Sequence, residues 1–105
     1  VRVEPDVDLR ELLLALAQVL RRADLYQHHS VQLEPLSVRE RMSNILATVN
    51  ATHDFIAFNA LFRPEEGRMG VVVTFLAMLE LLREQLIEFV QSEAFAPIYV
   101  RAGRQ

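Results

Sequence analysis

The stretch from Met69 to Leu82 constrains the fold more than any other part of the chain. Val71, Val72, Phe75, Leu76, Met78, Leu79 and Leu82 recur at helical spacing and cover about 160° of a helix surface. Val73, Ala77 and Leu81, at i, i+4 and i+8, give the same helix a second apolar face. The only charge within the stretch is Glu80. Such a helix needs packing partners on two sides, both from its own chain or one from another protein. The spacing predicts a helix from Met69 to Glu84. Directly after it, Leu86–Gln91 is rich in branched and aromatic residues, and Ile98–Arg101 is a second such run. Ser92–Pro97 between them reads as a loop, so the two runs form a β-hairpin with Pro97 at a strand start or edge.

Upstream, Pro and Gly are sparse and cut the chain into blocks. From Asp8 to His28, the residues Leu9, Leu12, Leu13, Leu16, Val19, Leu20 and Ala23 fall within one stripe about 120° wide, an amphipathic helix. Asp6 and Asp8 sit where an N-cap and a first-turn acid belong. Leu14 and Leu25 lie outside the stripe on an Arg-rich face, either as scattered surface leucines or as a second contact face. Pro35 stops anything earlier, and Ser37-Val38-Arg39-Glu40 is a capping box. A second helix follows, with Val38, Met42, Ile45, Leu46 and Val49 on one face, to about Ala51. Asp54–Phe58 is a brief strand or the entry to a small helix through Phe62, and its apolar residues belong against the core.

The predicted order is helix, helix, short strand and small helix, long helix, hairpin. The fold class is therefore mainly α (α+β): a winged-helix domain over residues 35–105, preceded by a long amphipathic helix and linker over residues 1–34. No apolar run reaches the ~18 residues of a membrane span. Without Cys, disulfides, thiolate zinc sites and cysteine nucleophiles are excluded. The chain begins on Val without a signal-peptide pattern and reads as a piece of a longer protein.

A winged helix that reads DNA places its third helix in the major groove, where Arg, Asn and Gln meet base edges. Met69–Leu82 has none of these, and the net charge of −3 gives no surplus for a phosphate backbone. The hairpin carries Glu88 and Glu93 and gains positive charge only at Arg101 and Arg104. Arg39 and Arg41 read as a solvated helix face. A DNA-binding winged-helix regulator, dimerised by its first helix, is the alternative that these residues disfavour.

Two features point to a protein partner instead. Val73, Ala77 and Leu81 either pack internally, for example on the first helix, or form an exposed strip that docks a partner. The last strand, Ile98, Tyr99 and Val100, offers either an open edge for a partner strand or an edge blunted by Pro97 and Arg101. His28 and His29 are adjacent and cannot form an i, i+4 metal pair, and a site at His53 would need Asp54 or Glu34 to converge on it. No serine has an elbow context, and three glycines make no phosphate loop. We expect no catalytic residue, no metal site and no cofactor.

Pro35–Met42, Val73–Leu81 and Gln91–Ile98 together resemble the C-terminal part of the ScpA (segregation and condensation protein A) family, the bacterial kleisins. The resemblance covers most of the chain from about Leu9. It implies a non-catalytic domain that docks on the ATPase head of SMC through the wing and third helix, within a complex that compacts and segregates chromosomes. It also implies ScpB as a partner, mainly through upstream sequence, an indirect association with DNA, no membrane contact, and a cytoplasmic, nucleoid-associated location. Self-association of the fragment stays open.

Overall fold

The computed structural model describes residues 7–26 and 37–103. In chain order they form α1 (Leu9–Ala23), a 3-10 turn (Asp24–Tyr26), α2 (Val38–Asn50), β1 (Ile56–Ala57), two further 3-10 turns (Phe58–Leu61 and Pro64–Glu66), α3 (Gly67–Arg83), β2 (Ile87–Gln91) and β3 (Ile98–Ala102). This is a winged-helix layout. α2, the Phe58–Leu61 turn and α3 supply the helical part, β2 and β3 the wing, and α1 stands in front. The segment open to two readings contains both elements: two residues pair as a strand and the next four turn into a 3-10 helix.

Local chemistry explains the boundaries. The Oγ of Ser37 accepts a hydrogen bond from the Glu40 N–H at 3.1 Å, the expected N-cap of α2. Asp8 occupies the N-cap of α1, but only its carbonyl contributes, accepting from the N–H groups of Glu11 and Leu12. Asp6, His28 and Pro35 lie outside the described residues. α3 opens on Gly67, whose φ of 87° and ψ of −179° are accessible essentially to glycine alone. At its other end, Leu86 N–H donates to the Leu81 carbonyl and Gln85 N–H to that of Leu82, both at 2.9 Å. Gln85 takes a left-handed φ of 64° to allow this, a Schellman closure built without glycine.

The sheet order is β1-β3-β2, and both pairings are antiparallel. β3 is thus central: Phe89 pairs with Val100 and Gln91 with Ile98 on one side, while Ile56 pairs with Val100 and Ala57 with Tyr99 on the other. Alternation along β3 sends Ile98 and Val100 inward and Tyr99 outward. Gly103 N–H donates to the Leu86 carbonyl at 2.9 Å, tying the end of the hairpin to the α3 closure. A Cβ at Gly103 would lie 2.2 Å from the Gln85 carbonyl oxygen, so this crossing requires glycine.

One continuous core runs through all layers. Leu12, Val19 and Ala23 of α1 join Ile45 and Val49 of α2, Val71, Ala77, Met78 and Leu81 of α3, and Phe89, Ile98 and Val100 of the wing. Phe58 sits in its middle with ring centroids 5.0 Å from Phe62, 6.1 Å from Phe89 and 6.5 Å from Phe75. The seam that α1 buries is narrower than its apolar stripe: Leu9 and Leu13 are exposed.

Candidate protein-docking surfaces

α3 packs against α2 and against α1, and this decides which of its faces reaches solvent. Val73, Ala77 and Leu81 are 8%, 0% and 0% exposed. The exposed strip expected along these three residues is therefore inside the fold, and the internal-packing alternative describes it. The residues that do reach solvent are Met69, 61% exposed, and Leu76, 47% exposed, with Val72 half-buried between them. At 100° per residue this strip lies about 100° around the helix from the expected one, one residue's rotation. Helical spacing groups Leu76 and Val72 with the core stripe, whereas the fold leaves Leu76 exposed and Val72 half-buried.

The wing edge also differs from expectation. β3 has β2 along one side and β1 beside Tyr99 and Val100 on the other, so these two form no open edge, and Ile98 is paired with Gln91 on the β2 side. Ile98 and Val100 are buried and only Tyr99 of the three meets solvent. The partner is β1, within the Asp54–Phe58 segment that the sequence allows as a brief strand, but its pairing with β3 has no sequence signal. The outer edges of the described sheet are β1 and β2. The outward sheet face carries Tyr99 edge-on to the exposed Phe55, with centroids 6.2 Å apart. Arg101 lies 5.4 Å above the Phe55 ring and donates from Nε to Glu88 at 2.9 Å. A neutralised pair thus borders an aromatic patch.

Electrostatics around α3 is equally committed. Arg68 pairs with Asp24 at 3.2 Å and Arg83 with Glu80. Hydrogen bonds from Arg83, more than its charge alone, hold the Glu80 carboxyl below the usual carboxylate value, and Glu80 raises Arg83 in return. Arg41 is not the solvated side chain expected. It is largely buried, donates to Thr74 Oγ1 at 3.1 Å and lies 2.9 Å from Glu66 Oε1. That oxygen has no other described partner, so the ion pair is what offsets its burial. The Thr74 hydroxyl in turn donates a hydrogen bond to the Gly70 carbonyl at 2.8 Å. His53 and Asp54 are exposed, while His28, His29, Glu34 and Arg104 lie outside the described residues.

A further contact joins elements that sequence spacing could not connect. Glu11 Oε1, in the first turn of α1, accepts from Gln91 Nε2 and from the Phe95 N–H, both at 3.0 Å. Gln91 Nε2 also donates to the Ala96 carbonyl at 2.8 Å. The wing loop is thereby held against α1.

Comparison with known proteins adds the following. A family model described as "Segregation and condensation protein ScpA" matches residues 1–102. Curated proteins named "Segregation and condensation protein A" are similar over almost the whole chain. The one from Coxiella burnetii is 57% identical over 101 residues, covering 96% of this chain and 38% of its own length. The one from Xylella fastidiosa strain Temecula1 is 51% identical over 102 residues, covering 97% and 33%. The one from Listeria welshimeri is 38% identical over 101 residues, covering 93% and 40%. The chain thus spans between a third and two-fifths of the length of these relatives.

Proposed function

The chain belongs to the segregation and condensation protein A family, and on that premise we propose that it is the kleisin domain that docks on an SMC ATPase head, serving chromosome condensation and segregation in the cytoplasm. It contributes no catalysis of its own. Residues 1–34 and 35–105 act as one docking unit. ScpB is bound mainly by sequence upstream of this chain, and DNA is reached only through the complex.

The observation that carries this reading is the exposed apolar strip Met69, Val72 and Leu76 on α3, in a helix whose flanking arginines, Arg68 and Arg83, are both paired with acids. A helix that read base edges would keep those guanidiniums free. Exposed leucine and methionine at helical spacing suit a protein surface that excludes water. Tyr99 and Phe55, with the outer edge of β2, add a second contact of the same character. Of the six residues first expected to touch the partner, Tyr99 can do so directly; Val73, Ala77, Leu81, Ile98 and Val100 act from inside, by setting the strip and the sheet in place.

Isothermal titration calorimetry of the chain with an SMC ATPase head tests the reading. Leu76→Glu or Met69→Glu is expected to weaken binding by about 10-fold or more, since truncating a central apolar anchor costs on the order of 2 kcal/mol. Both positions are solvent-facing, so the thermal melt should be unchanged. Full affinity in both variants rejects α3 as the docking helix. An Arg at Ala77 or Leu81 would not discriminate, because it would disrupt the core.

A further inference from the structure

A cleft of about 500 Å³ separates α1 from the loop joining β2 to β3. Leu14, Gln18, Arg21 and Arg22 line its helix side, and Phe95 and Pro97 its wing side. Its size is that of sites that take several side chains of a ligand.

Three observations point to one kind of occupant. First, Phe95 is 77% exposed and has a left-handed φ of 67°. A bulky residue adopts such a backbone only where its surroundings impose it. Here the Phe95 N–H donates to Glu11 and the next residue is held by Gln91 and Glu93, so the turn that carries the exposed ring is tied down on both sides. Second, Leu14, on the facing wall, is 44% exposed and lies on the outward side of α1. Third, Arg21 and Arg22 are exposed, and neither has an acidic partner among the described residues. In a chain of net charge −3 this is a local excess of positive charge. The acid that lines the cleft, Glu11, is already engaged by Gln91 and Phe95.

We propose that this cleft binds an acidic segment of another protein that also carries apolar side chains. The apolar side chains cover Leu14 and Phe95, and the carboxylates meet Arg21 and Arg22. Duplex nucleic acid fits less well, because phosphates have no use for the two apolar anchors. The site is separate from the α3 strip and does not depend on the docking reading above.

Fluorescence anisotropy tests it with three labelled probes: a peptide of alternating Glu and Leu pairs, the same peptide with Gln for Glu, and a DNA duplex of about 20 base pairs. The acidic peptide should bind, weaken with added salt, and bind about 10-fold better than its Gln counterpart. Arg21→Glu combined with Arg22→Glu should reduce that binding by about 10-fold. Phe95→Asn should reduce it similarly while easing the backbone, so that loss cannot be ascribed to misfolding. Leu76→Glu should leave peptide binding intact, which separates this site from the α3 strip. Absence of binding, equal binding of the Gln peptide, or tighter binding of the duplex would overturn the proposal. So would self-association of the chain abolished by the same variants, since the occupant would then be a second copy.

Discussion

Arg41 shows how much one side chain can join. It reaches from α2 to Thr74 in the middle of α3 and to Glu66 at the helix entry, and is largely buried in doing so. Replacing it by Met keeps the aliphatic stem but leaves Glu66 Oε1 without a partner. Because Glu66 is partly hydrated, the cost is well below that of a fully buried ion pair, about 1–3 kcal/mol. Urea unfolding of Arg41→Met should show a lower midpoint at unchanged slope, whereas Arg39→Met, at an exposed position, should leave the midpoint in place. An equal response from both would mean that the Arg41 network contributes nothing. In the sequence the two arginines look alike, on either side of Glu40. Only the packing of α2 on α3 turns one inward and leaves the other in water.

Helices and hairpin were legible because each has its own period and punctuation. Ser37 and Glu40 mark the start of α2, and the β-rich runs about Ser92–Pro97 mark the wing. The facing of α3 was not legible for a physical reason. A helix apolar on most sides has no strong amphipathic direction, and which side stays in water depends on where α1 and α2 settle. That displaced the expected strip from Val73, Ala77 and Leu81 to Met69, Val72 and Leu76. The pairing of β1 with β3 was hidden by its length, and the reach of Glu11 to Gln91 and Phe95 by a separation of 80 and 84 residues along the chain. At this scale Glu11 makes a testable link between α1 and the wing. Glu11→Ala should cost about 1–2 kcal/mol and speed hydrogen exchange at the Phe95 amide by roughly 10-fold. Glu11→Gln retains an acceptor oxygen and should preserve much of the protection. Unchanged exchange in Glu11→Ala would mean that the loop is held by other contacts.

Across the whole molecule, α1 shares the core with the winged helix: Leu12, Val19 and Ala23 are buried in the same cluster as Ala77 and Leu81. Three such side chains contribute several kcal/mol at about 25 cal/mol per Å² of apolar surface, comparable with the entire stability of a domain this size. A chain reduced to residues 37–105 should therefore lose its sharp thermal transition and its near-ultraviolet circular dichroism, and should bind a hydrophobic dye. A cooperative melt at the original temperature would show instead that residues 37–105 stand alone and that α1 is an accessory. The grip of Glu11 on the wing loop gives this shared core a mechanical side. A pull on α1 is shared between its buried Leu12, Val19 and Ala23 and the hydrogen bonds that Glu11 accepts from the wing, so helix and hairpin answer the load as one body.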